Sequence, residues 1–235
     1  MSIRCILFDL DGTLLPMDQN LFFKAYFGGL AKKLAPLGFD GEALFRSIWK
    51  GTGAMIRNDG SVPNETRFWD SMHEDYGNAI DEALPYFEDF YAHEFELVQK
   101  VCGFDPRAAE TVRTLKERGY TVALATQPAF PAVATRSRIR WAGLEPEDFA
   151  LFTTFENSRH CKPNVEYYRD VADQLGIDPT ECLMVGNDIS DDMPAANIGM
   201  KVFLLTDCLI AKEGESVESY PHGSFGELMS YIDSL

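Results

Sequence analysis

Two aspartates, Asp9 and Asp11, stand at the end of the apolar run Ile6-Leu7-Phe8, with only Leu10 between them and Gly12-Thr13 after them. Two like charges at the mouth of a buried strand call for a use, because an unpaired buried charge is costly. Three further polar features stand at the ends of expected elements. Thr126 comes after "VALA", Lys162 precedes Pro163 at an expected helix start, and the run "GNDISDD", Gly186 to Asp192, comes after "CLMV". Together they offer carboxylates, a hydroxyl and an ammonium, a set that can receive a small anionic substrate through local positive charge or a bound metal. Taken singly, each has an ordinary reading. Asp11-Gly12 is a turn, and Asp188, Asp191 and Asp192 favour the positive end of a helix. Thr126 is a strand-end residue and Lys162 a solvated charge. What joins them is their shared place in the pattern of elements.

That pattern is β-α alternation. Residues 3–9 read as a first strand. From Cys102 onward, Asp105-Pro106 opens a helix that closes at Gly119, and "TVALAT" follows as a strand. A helix near "PAVATRSRIRWA", a short strand near "LFTTF" and a helix "PNVEYYRDVADQL" ending at Gly176 come next. The strand "CLMVG", a short helix near "DMPAANI" and the strand "KVFLLT" complete the series. This predicts an α/β fold, a doubly wound parallel-sheet, Rossmann-like core with helices on both faces. Ligands bind such sheets beyond the carboxyl ends of the strands, which would gather Asp9, Thr126, Lys162 and the acidic run on one edge.

Residues 18–99 read differently, as helices only. "LFFKAYFGGLAKKLA" spaces Phe23, Phe27, Leu30 and Leu34 helically; "DGEALFRSIWKG" runs from a capping Asp40 to a stop at Gly51. "NETRFWDSMHEDYG" starts at a capping Asn64, and "DEALPYFEDFYAHEFELVQ" is a fourth helix with Pro85 near its start. The expected organisation is a core of residues 1–17 and 100–235 with a helical bundle, 18–99, inserted after the first strand.

The chain has 235 residues and a net charge of −16. That charge argues against nucleic acid and against an anionic membrane surface. No stretch reaches membrane-spanning length, and the amino-terminal apolar run ends too early for a signal peptide. Five single cysteines with no CxxC pair fit free thiols in a reducing cytoplasm.

"DLDGT", Thr126, Lys162 and "GNDISDD" resemble, in order and placement, the four motifs of the haloacid dehalogenase-like (HAD) hydrolases. The inserted helices resemble that family's helical C1-type cap. The resemblance implies a phosphatase in which Asp9 is the nucleophile that becomes an aspartyl-phosphate. It implies that Asp11 is the general acid and base, that Thr126 and Lys162 bind phosphate, and that Lys162 offsets the charge of Asp9. Mg²⁺ is the implied cofactor, held by Asp9, the backbone carbonyl of Asp11 and Asp188, with Asp192 supporting. A small phosphorylated metabolite is the implied partner, and Arg57, between cap helices, is a candidate contact for an anionic leaving group. Asn187 stands where many relatives carry an acid, which leaves Asp191 as the spare; Gln127 receives no role.

Other chemistries share this scaffold. A dehalogenase usually lacks the second aspartate, so Asp11 counts against it. A phosphonatase needs a cap lysine, for which Lys24, Lys32, Lys33 and Lys50 are available. A sugar phosphomutase keeps the same acids. A non-catalytic binding protein would have lost at least one of these groups.

Overall fold

The computed structural model describes residues 2–235. Its sheet has five parallel strands in the order β2-β1-β3-β4-β5. These are β1 Cys5–Phe8, β2 Thr121–Leu124, β3 Cys182–Gly186, β4 Lys201–Leu205 and β5 His222–Gly223. The inner strands are apolar throughout because both faces are covered. Ile6 and Phe8 pack with α5 (Pro106–Glu117), α6 (Ala132–Trp141) and α8 (Phe225–Asp233). Cys5 and Leu7 face the other way, against α7 (Val165–Leu175). The fold is the expected α/β, Rossmann-like one.

Between β1 and α5 lie α1 Gln19–Leu34, α2 Gly41–Ile56, α3 Asn64–Tyr76 and α4 Ala79–Ala92, followed by 3₁₀ turns over Glu94–Val101. Their apolar residues continue the cluster that begins on the sheet. Phe22, Leu30, Phe90 and Phe95 belong to the same buried set as Phe8 and Leu124. Among the described residues no helix is long and apolar enough to cross a membrane.

Several local expectations are corrected. In α1 the buried series is Phe22, Tyr26, Leu30 and Leu34; Phe23 and Phe27 are only partly covered. Gly51 does not stop α2, which runs on to Ile56. A Cβ at Gly51 would come 2.8 Å from the Phe68 ring, so the glycine serves the approach of α3. Asn64 does not cap α3; Pro63 takes that place, and Asn64 is wholly buried. Its amide nitrogen donates to the His160 carbonyl at 3.2 Å and to Cys161 Sγ at 3.3 Å, tying the helices to the sheet's loops. The fourth helix breaks at His93 into 3₁₀ turns. "LFTTF" makes only one bridge, Phe152 to Leu124, because its polar threonines turn to side-chain and loop contacts. Strand β5 and helix α8 complete the carboxyl-terminal end beyond the expected series.

Candidate active site

The Asp9 N–H donates to the Val185 carbonyl at 2.8 Å, so Asp9 extends the ladder one residue past β1. The chain then curls. Leu15 N–H donates to the Leu10 carbonyl at 2.8 Å and Gly12 N–H to the Leu15 carbonyl at 2.8 Å. Gly12 has φ of +87°, and the Asn187 amide sits where a Cβ would be; only glycine fits. Leu10 is buried in the apolar cluster, which leaves Asp9 and Asp11 together on the cavity side.

Lys162 is the hub. Its Nζ donates to Asp9 Oδ1 at 2.8 Å and to Asp192 Oδ1 at 2.6 Å, with all three side chains buried. Burial alone would favour the neutral amine, but Asp192 and Asp9 outweigh it and hold the ammonium well above its usual range. Asp9 feels burial first, then the relief from Lys162 and the opposition of Asp192 and Asp11, and its pKa is pushed up to about 7. Asp192 is fully engaged, because its second oxygen accepts the Asp188 N–H at 2.9 Å. Gly186 makes this possible: a Cβ there would collide with the Asp192 carboxylate. Asp188 Oδ1 accepts the N–H groups of Ser190 at 2.8 Å and Asp191 at 3.1 Å. Burial raises the proton affinity of both Asp188 and Asp191, and Asp191 adds to the rise at Asp188. Asn187 receives the Thr13 hydroxyl at 3.0 Å and donates to the Cys208 carbonyl at 2.7 Å, a joint between two loops.

The structure thus brings together Asp9, Asp11, Thr126, Lys162, Asp188 and Asp192 around one cavity. It does not bring Arg57. That residue is exposed at the end of α2, against Gly53, and does not line the cavity. Among the described residues Lys162 is the only lysine or arginine lining it. Lys33 is taken by Asp89 and Glu94, and Lys50 by Glu74 and Asp75. Among the described residues none of Lys24, Lys32, Lys33 and Lys50 lines the cavity.

Four supporting residues carried no recognisable signal. Arg138, fully buried, pairs with Asp11 and lies 4.4 Å from the Phe130 ring centroid. Burial raises the proton affinity of Asp11, while Arg138 and then Lys162 oppose it. Gln127 clamps the Lys162 backbone from both sides, accepting its N–H and donating to its carbonyl, each at 3.1 Å. The Tyr167 and Thr153 hydroxyls both donate to the Thr126 carbonyl at 2.7 Å. With its carbonyl fixed, Thr126 keeps a buried hydroxyl that has no partner, and Asp11 keeps one such carboxylate oxygen. Buried polar atoms left unbonded are rare enough to need a reason. Here both belong to residues that line the cavity.

A family model described as "Hydrolase: haloacid dehalogenase-like hydrolase" matches residues 3–199. The chain is 26% identical over 208 residues to Pyrophosphatase PpaX of Bacillus cereus (strain G9842), covering 86% of this chain and 82% of that protein. Among solved structures it is similar to a "predicted phosphoglycolate phosphatase" from Haemophilus somnus 129pt (TM-score 0.62, 18% identity, 98% of each chain). It is likewise similar to a 2-haloacid dehalogenase from Pseudomonas syringae pv. Tomato DC3000 (TM-score 0.66, 18% identity, 99% of each chain). At such identities the two structures speak for the fold alone, and it is the match over residues 3–199 that places the chain. The protein belongs to the haloacid dehalogenase-like hydrolase family.

Proposed function

We propose that this protein is a Mg²⁺-dependent phosphatase that hydrolyses a small phosphate monoester through an aspartyl-phosphate on Asp9. The observation that carries the reading is the pair of buried, unbonded oxygens on Thr126 and Asp11, beside an Asp9 already tethered to Lys162. Thr126 donates its hydroxyl to a phosphoryl oxygen, and Lys162 offsets the negative charge of Asp9 and phosphate. An Asp9 oxygen bonds phosphorus as the P–O bond to the leaving group breaks. Asp11, whose proton affinity burial raises, gives its proton to that leaving oxygen. Asp11 then takes a proton from the water that attacks the aspartyl-phosphate, which frees Asp9 and restores the acid. Arg138 holds Asp11 in place between the two transfers.

The acids fit a hard cation, because several carboxylates share one cavity wall and burial makes their charge costly. Asp9, the Asp11 backbone carbonyl and Asp188 would hold Mg²⁺, with Asp192 supporting through Lys162 and the Asp188 N–H. Mg²⁺ supplies charge neutralisation between carboxylate and phosphate. Residues 18–99 act as a cap over the core of residues 1–17 and 100–235. The five free cysteines support a cytoplasmic setting.

The test is phosphate release from a panel with and without Mg²⁺: ethyl phosphate, benzyl phosphate, phosphoglycolate and pyrophosphate. Release should need the metal. Asp9→Asn should reduce it to background, and Asp11→Asn should lower turnover about 10²-fold while phosphate still binds. Near-normal turnover by purified Asp9→Asn overturns the mechanism.

A further inference from the structure

We infer that the substrate's leaving group is an apolar, ring-bearing alcohol with no second negative charge. This rests on the phosphatase reading and adds the substrate class.

The cavity holds about 660 Å³, a volume suited to a whole small organic molecule. Asp9, Asp11, Thr126, Lys162 and the acidic run occupy only its floor. Above them much of the wall comes from α1 to α4 and is rich in rings. Phe23 and Trp49 meet edge to face with centroids 5.2 Å apart, and Trp69 and Phe87 do so at 5.5 Å. Phe27 and Phe68 extend this lining. On α1 the buried series is Phe22, Tyr26, Leu30 and Leu34, whereas Phe23 and Phe27 stay only partly covered and line the cavity. Their partial cover is what a surface kept for a ligand requires. A phosphate with a two-atom acidic tail would leave these rings in contact with water.

The charges point the same way. Lys162 is the only cation on the lining among the described residues, and two carboxylates already share it. The remaining charged groups on the lining away from the floor are Glu65, Glu88 and Glu156. Glu156 is fixed by the Ala132 N–H, which it accepts at 2.8 Å and 3.1 Å. Burial and then Glu156 raise the proton affinity of Glu65, as expected where negative charge is already crowded. A carboxylate or second phosphate on the leaving group would find no ammonium or guanidinium here and several acids. Discrimination of this kind works by leaving the wrong group unpaired.

The experiment compares kcat/KM with Mg²⁺ for benzyl phosphate, ethyl phosphate and phosphoglycolate. All three leaving groups are primary alcohols, so ring and charge are what differ. Benzyl phosphate should exceed each of the others roughly 10- to 100-fold. Trp49→Ala should shrink the benzyl-to-ethyl ratio by roughly tenfold. Thr52→Lys, which adds a cation to the lining, should raise kcat/KM for phosphoglycolate and lower the benzyl preference. A wild-type preference for phosphoglycolate or pyrophosphate overturns this inference and leaves the phosphatase reading standing. Failure to release phosphate from any ester overturns both.

Discussion

The floor and the roof of the cavity are built on opposite principles. On the floor, Asp9, Lys162 and Asp192 are held by charge-assisted hydrogen bonds, and Gln127, Tyr167 and Thr153 fix the backbone beneath them. The roof is held by ring against ring and by helix packing, with few polar ties to the floor, Asn64 among them. A charged network has one good geometry and loses heavily when a member is removed. A cluster of rings tolerates small shifts and can reshape around what it holds. On the proposed reading the difference means a division of labour: reaction type would reside in the floor, and choice of leaving group in the roof.

Three changes break or sharpen that contrast. The largest effect is expected from Lys162→Met, which leaves Asp9 and Asp192 buried without their shared cation. It should cost about 3–5 kcal/mol of stability in urea unfolding without metal, and abolish turnover. Added Mg²⁺ should recover part of the stability. A small loss would mean that charge pairing does not hold the floor. Next is Gly51→Val in the roof, where the new side chain presses on Phe68. It should cost about 1–3 kcal/mol by the same measurement, while the ranking of leaving groups changes more than ethyl phosphate turnover. Equal loss on every ester would erase the division.

The smallest effect lies on the roof's outer surface. His73 is raised above its ordinary value by its hydrogen bond with the Asp81 carboxylate, which joins α3 to α4, and then by the Trp69 carbonyl within α3. Its protonated form gains in the folded state. The stabilisation is therefore fully present below the unfolded value of about 6.5 and is lost as pH rises through the higher folded value. The pair is solvent-exposed, so His73→Gln should lower stability by only about 0.2–1 kcal/mol at pH 5.5 and leave it unchanged at pH 9. Unfolding at the two pH values measures this.

The same contrast governs what could be read from the chain. Asp9, Thr126 and the acidic run lie directly after apolar strands, and Lys162 stands before Pro163 at a helix start; topology restricts what a polar residue can be doing in such places, so these were legible. The roof was not. "LFFKAYF" places aromatics at both 22/26 and 23/27, and helical spacing alone cannot tell which pair meets the sheet. Trp49 and Trp69 would look the same in the sequence whether they packed a core or lined a cavity, because both uses take the same residue types. Arg138 sits in "RSRIR" between Arg136 and Arg140, and nothing local marks the one that turns inward to Asp11. Gly51 looked like a terminator because its reason, the Phe68 ring, comes from another helix. Each miss depended on a partner distant in sequence.

The placement of β1 in the sheet has a consequence for the protein's birth on the ribosome. This strand is made first, yet it pairs with β2 on one side and β3 on the other, whose residues begin at 121 and 182. At synthesis rates of about 5–20 residues per second, the wait for its first neighbour is on the order of ten seconds. Through that interval Cys5-Ile6-Leu7-Phe8 has no edge to join, while all of α1 to α4 is already outside or emerging. The helices of the roof are therefore all made before the strands that flank β1, and the apolar residues they share with Phe8 in one cluster are its nearest partners in the chain.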